Sequence, residues 1–202
     1  NKEYIEIQKY AFRKYKIKTV ENKHTHLVPE ELEQLERLSL TDKHMKLQKS
    51  LDAFLFCCYA GMRYSDFTNL SKKNIVDINQ ETWLIYKSVK TGTEVRLPLY
   101  LLFAGKGIVI LNKYRNNLEN FFRLRDNSNI NKDLIIIAKL AGLSKKISFH
   151  TARHTNATLL IYNGVNITTV QKLLGHKSVK TTQVYTNIMD LSLIHISEPT
   201  RQ

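Results

Sequence analysis

The residues best suited to chemistry gather in the second half of the chain. In Phe149-His150-Thr151-Ala152-Arg153-His154, His150 and Arg153 stand at i and i+3, so at the start of a helix they share one face. A guanidinium is a planar fork of donors that suits phosphate oxygens, and an imidazole moves a proton near neutral pH. On its own such a pair is more often a piece of solvated surface. In Leu173-Leu174-Gly175-His176 a helix ends, glycine turns the chain and a further histidine stands at the break. The ordinary role of an imidazole there is to complement the helix dipole. Tyr185, in Thr181-Thr182-Gln183-Val184-Tyr185, is by default a half-buried amphipathic packer. It becomes a nucleophile if a base and a cationic phosphate cradle lie within reach.

The first half contributes less conspicuous groups. Arg63, in Ala60-Gly61-Met62-Arg63-Tyr64-Ser65-Asp66, follows an apolar helix and a glycine turn, which can aim it inward. Asp66 is placed to hold its guanidinium, although a local surface ion pair would be worth little. Lys90 falls at the tip of a turn, where a lysine is normally solvated; a mobile tip can instead deliver a proton donor into a cleft.

These groups need elements to position them. Pro29 opens a helix whose apolar stripe is Leu32, Leu35 and Leu38. A buried helix is expected from about Lys46 to Tyr59, stopped by Gly61, and a short one capped by Ser65 through Leu70. The period then changes. Asn74–Ile78, Thr82–Lys87 and Glu94–Leu99 read as strands of a small antiparallel sheet, with Lys90-Thr91-Gly92-Thr93 as the last turn. Helices resume at about Gly107–Leu124, Lys132–Ala141, Thr151–Tyr162, Ile167–Leu174 and Ser178–Ile188. The expected class is mainly α with a small antiparallel β-sheet.

Length and composition are those of a folded chain: 202 residues, 43% hydrophobic, 24% charged. Neither Phe54–Met62 nor Leu97–Gly105, the longest apolar stretches, can span a bilayer. The net charge of +13 favours a polyanion, nucleic acid before membrane. From Leu134 to Met189 there is no Asp or Glu, so Lys145, Lys146, Lys172, Lys177 and Lys180 are candidates for DNA-backbone contacts. The only cysteines, Cys57 and Cys58, lie in an apolar run and read as core residues in a reducing, cytoplasmic setting. No spacing suits a metal site.

Arg63, Lys90, His150-Thr151-Ala152-Arg153, Leu174-Gly175-His176 and Tyr185, in that order, resemble the tyrosine recombinase (phage integrase) family over about Leu27–Ile188. The flavour is that of integrases of phages and conjugative transposons. The resemblance implies the catalytic-domain fold of that family and site-specific cleavage and rejoining of double-stranded DNA. Tyr185 would attack the scissile phosphate to give a 3′-phosphotyrosine. Arg63 and Arg153 would clamp the non-bridging oxygens, His176 would hydrogen-bond the same phosphate, and His150 would help take and return the tyrosine proton. Lys90 would protonate the departing 5′-oxygen, and Asp66 would support the first arginine. No ATP, metal or other cofactor is required. The expected task is to integrate or excise a mobile element, as a homotetramer on paired sites, with accessory DNA-bending proteins as possible partners and no membrane. A type IB topoisomerase-like activity and a catalytically idle DNA-binding module are the alternatives.

The expected organisation is a linker, or the tail of an N-terminal DNA-binding domain, over 1–26; a catalytic domain over 27–190; and a non-native tail over 191–202, which resembles translated sequencing-adaptor read-through. Asn156 occupies a place where the family commonly has Phe, with an effect expected on packing rather than chemistry.

Overall fold

A computed structural model describes residues 25–186. The expected segment 191–202 and nearly all of 1–26 lie outside the described residues. Helix α1 (Pro29–Glu36) begins at its proline, with Leu32 and Leu35 buried. A 3-10 turn (Asp42–Leu47) leads into α2 (Gln48–Ala60), whose residues from Ser50 onward are all buried. Helix α2 therefore starts slightly later than its apolar run suggests and forms the centre of the molecule. It packs chiefly against α7 (Phe149–Tyr162), which is buried from Thr151 to Leu160. Burial on every side explains why neither helix is amphipathic. A cluster of Phe56, Phe67, Phe121, Phe122 and Phe149, packed mostly edge-on or tilted, closes the core beside them.

Helix α3 (Tyr64–Thr68) has Arg63 at its N-cap position, with no side-chain cap bond, and Ser65 lies inside its first turn. The expected sheet is present: β1 (Ile75–Ile78), β2 (Glu81–Lys87) and β3 (Glu94–Pro98) pair antiparallel in that order. Leu84 lies opposite Leu97 and Tyr86 opposite Val95, and these four form the buried face. The region expected as one helix from Gly107 to Leu124 is two, α4 (Lys106–Lys113) and α5 (Leu118–Phe122). Asn117 is the reason: its side chain accepts from the Asn120 N–H and starts a new helix. In the same way Asp126 caps α6 (Asn127–Leu140), which begins ahead of the expected Lys132. Helix α8 is Ile167–Leu174, and a last helix, α9, occupies 180–186 at the end of the described residues.

Two buried carboxylates fasten the outer helices to α2. Asp52 accepts from Lys113 and Tyr114, and Asp133 from Ser50 and Arg125. Among the described residues no helix is long and apolar enough to cross a membrane.

Candidate active site

Helices α2 and α8 both end at one side chain. Arg153, on α7, is 1% exposed, and it donates to the carbonyls of Gly61 (2.7 Å) and Leu174 (2.6 Å). Those carbonyls lie at the C-terminal ends of α2 and α8, where the backbone carries partial negative charge. This is how a guanidinium is buried with no carboxylate in direct contact among the described residues. Both helix ends need glycine. Gly61 has φ +65°, and a Cβ there would lie 2.6 Å from Asn156 Oδ1; Gly175 has φ +63°, and a Cβ would meet Val95 Cγ2 at 2.6 Å. Asn156, buried beside Gly61, donates to the Cys58 carbonyl at 2.9 Å and so joins α7 to α2.

Arg63 reaches the same cleft from the start of α3. Its Nη1 lies 3.5 Å from Asp66 Oδ2 and 3.3 Å from Ser88 Oγ. Asp66 is fully buried, and it also accepts from the Val89 N–H at 2.8 Å and from the Ser88 hydroxyl. One carboxylate thus fixes both Arg63 and the root of the β2–β3 turn. On the other side of Lys90, the Thr91 hydroxyl donates to the Gly175 carbonyl at 3.2 Å. The turn is therefore anchored on both sides of its exposed lysine, not a loose tip.

His176 follows Gly175 and is 8% exposed. Its Nδ1 lies 2.9 Å from the Thr182 hydroxyl. If that hydroxyl donates, the imidazole proton sits on Nε2, the tautomer that donates to an anion. Burial, then the charges of Arg153, Arg63 and His150, pushes His176 down to about 3, so it is neutral at ordinary pH. Burial and then Arg63 push Arg153 down to about 10, which leaves it cationic. Burial raises the Tyr185 phenol, against the pull of Arg153 and Arg63. Tyr185 therefore keeps its proton at rest.

Arg63, Lys90, His150, Arg153, His176 and Tyr185 line one cavity of about 210 Å³, together with His154, Thr181 and Val184. All six residues singled out for catalysis in the sequence meet there, and Asp66 stands directly behind Arg63. The cavity can accept a tetrahedral anion between two guanidinium groups, with a phenol, imidazoles and an ammonium around it. Among the described residues no group of three His, Cys, Asp or Glu is placed to hold a metal. A larger cavity of about 970 Å³, between α1, the 102–105 turn and the end of α7, is mainly apolar and holds none of these groups.

The basic candidates divide. Lys146, Lys177 and Lys180 are exposed. Lys145 is already engaged, donating to Glu31 at 2.7 Å and to the His26 carbonyl. Lys172 lines a separate hollow with Glu94 and Arg96. Sequence reasoning missed His154, Thr182 and Ser88. His154 carried a signal, since it lies at i+4 from His150 and shares its helix face. Thr182 and Ser88 carried none.

Residues 25–191 match the phage integrase family. The chain belongs to that family. It is 31% identical to a tyrosine recombinase of Pseudothermotoga lettingae over 169 residues, covering 81% of this chain and 56% of that one. It is 34% identical to the tyrosine recombinase XerA of Saccharolobus solfataricus over 134 residues, 64% of this chain and 42% of the relative. A shorter segment of 57 residues is 49% identical to XerD of Listeria monocytogenes, 28% of this chain and 19% of the relative. The chain thus spans about half the length, or less, of these phage integrase relatives. Among solved structures it is similar to a lambda integrase (75–356) dimer bound to a COC′ core site, with TM-score 0.68 and 19% identity over 85% of this chain and 62% of that one. It is also similar to XerA recombinase, with TM-score 0.62 and 23% identity over 87% and 66% of the two chains. The fold is the catalytic-domain fold expected from the sequence, mainly helical with a small antiparallel sheet.

Proposed function

We propose that this phage integrase domain cleaves and rejoins double-stranded DNA at specific sites through a 3′-phosphotyrosine link to Tyr185. The observation that carries this reading is the single small cleft in which Tyr185 meets Arg63, Arg153, His176, His150 and Lys90. Tyr185 Oη attacks the scissile phosphorus as the bond to the 5′-oxygen breaks. Arg63 and Arg153 hold the non-bridging oxygens, where negative charge builds in the transition state. His176, neutral and oriented by Thr182, donates to the same phosphate. Lys90 gives a proton to the departing 5′-oxygen. His150, exposed beside His154, helps take and return the tyrosine proton on the solvent side. Attack by another 5′-hydroxyl on the phosphotyrosine reverses the step and exchanges strands. The bond energy stays in the covalent link, so no ATP, metal or other cofactor is needed.

Lys146, Lys177 and Lys180 supply sequence-independent contacts to the DNA backbone. The full-length protein acts in the cytoplasm as a homotetramer on paired sites to integrate or excise a mobile element. Supporting that assembly, similar structures include a lambda integrase tetramer bound to a Holliday junction; supporting that task, they include a Tn1549 transposon integrase with circular intermediate DNA. Accessory DNA-bending proteins are the further partners of this reading.

The test is a denaturing gel for protein–DNA adduct on nicked suicide duplexes of varied sequence, with the wild-type chain beside Tyr185→Phe. An adduct lost in the variant supports the reading. An adduct that persists in the variant moves the nucleophile elsewhere.

A further inference from the structure

The proton on Tyr185 needs a destination, and the structure offers one that the motif pattern did not single out. Tyr185 Oη lies 3.0 Å from His154 Nδ1, within the separation expected of a nucleophile and its base. Both side chains are buried, and both line the cleft that holds Arg63 and Arg153. Burial keeps the phenol protonated, so attack on phosphorus must be coupled to removal of that proton. The His150 and His154 rings pack in a T shape, with centroids 4.5 Å apart at 85°, which limits how His154 can turn. The two histidines share a face of α7 because they are one helical turn apart.

We propose that His154 is the immediate proton acceptor for Tyr185, with His150 behind it on the solvent side rather than in contact with the phenol, an inference that rests on the phosphotyrosine chemistry proposed above. In the cleavage step the Oη–P bond forms and the phenol O–H bond breaks, with its proton passing to His154 Nδ1. The P–O5′ bond breaks as the 5′-oxygen takes a proton from Lys90. Rejoining runs the transfers backwards: the phosphotyrosine bond breaks and Oη recovers its proton from Nδ1. At rest His154 therefore carries its proton on Nε2. The imidazolium formed during the step faces Arg63, Arg153, His150, His176 and Lys90, and the phosphodiester's own negative charge offsets that concentration of positive groups.

Two experiments test this. His154→Asn keeps an acceptor near the position of Nδ1 but cannot take a proton. It is expected to form adduct on the nicked duplexes ~10²-fold slower or worse, the usual scale for losing general-base catalysis, with DNA binding unchanged; His154→Ala is expected to regain adduct on addition of imidazole. An Asn variant that reacts at the wild-type rate overturns the proposal. Second, nitrogen-15 histidine spectra of the wild-type chain are expected to show His154 protonated on Nε2, with an Nδ1 resonance that moves in Tyr185→Phe. A proton on Nδ1 overturns the assignment. This second measurement needs no DNA, so it tests the proton arrangement between His154 and Tyr185 separately from adduct formation; a wild-type chain that forms no adduct counts instead against the phosphotyrosine reading.

Discussion

The Arg153 guanidinium donates to the carbonyl of Leu174, the last residue of α8, at 2.6 Å, and its second short bond goes to Gly61 at the end of α2. The same side chain thus ties two helix ends together and lines the cleft that holds Tyr185. Arg153→Ala is expected to lose adduct formation by ~10²-fold or more. It should also lower the melting temperature, because two buried carbonyls lose their donor at about 1–3 kcal/mol each. Arg63→Ala should lose cleavage similarly but melt closer to wild type, since Asp66 keeps Ser88 and Val89. Thermal melts beside adduct gels check both, and equal melting losses would contradict the division of roles.

The glycines at the two helix ends should be unequal to a glycine elsewhere. Gly61→Ala and Gly175→Ala combine a left-handed backbone with overlap at 2.6 Å, and each should destabilise the fold by about 2 kcal/mol or more. Gly92→Ala has φ +68° but nothing within 4 Å, and should cost only about 1 kcal/mol. Urea unfolding of the three variants gives the comparison.

Thr182 should matter although it touches no phosphate. Thr182→Val removes the partner of His176 Nδ1 and frees the imidazole to adopt the other tautomer or rotate. Adduct formation should fall about tenfold or more, the scale seen when the partner that orients a functional histidine is removed. Thr182→Ser should restore it. An undiminished rate in the valine variant would show that His176 is held by its backbone alone.

Lys90 should be dispensable when the leaving group needs no proton. Lys90→Ala is expected to cleave an ordinary phosphodiester poorly and to recover on a duplex with sulfur in place of the bridging 5′-oxygen. Asp66→Asn, which weakens the hold on both Arg63 and the turn carrying Lys90, should recover only in part on the same substrate. Single-turnover cleavage of the two duplexes checks both, and no recovery in the alanine variant would argue against a general-acid role.

Stability should depend on pH through His176. Its folded value is pushed down to about 3, whereas the unfolded chain binds a proton near the ordinary histidine value of about 6.5. Above that value neither state holds the proton and the full stability is present. As the pH falls from about 6.5 toward 3, the unfolded state alone takes up a proton, and stability drops by at most about 1.4 kcal/mol per pH unit from this group. Unfolding free energies across that range should fall more steeply for wild type than for His176→Gln.

Much of the site was legible because its signals are short and ordered. His150 and Arg153 are on one helix face as their spacing dictates, and the glycines before Arg63 and His176 end helices as glycines do. The strands followed from alternation at Val95, Leu97 and Leu99. Boundaries were less legible where a side chain competes for backbone groups. Asn117 splits one expected helix and Asp126 starts another early, because a cap depends on a few atoms rather than on a period. Lys145 shows a similar limit: its charge was visible in the sequence, its engagement by Glu31 was not.

By itself, then, the sequence determined the family, the mainly helical class, the sheet and the six cleft residues, since each rests on local periodicity or on the order of motifs along the chain. Only the tertiary structure decided which imidazole meets Tyr185, that Asp66 serves Arg63 and the Lys90 turn at once, and that Arg153 is held by two helix ends. Those contacts join positions as far apart as Gly61 and Arg153, or His154 and Tyr185. Which atoms meet over such separations depends on how α2, α7, α8 and α9 cross in space, and no local pattern of residues carries that angle.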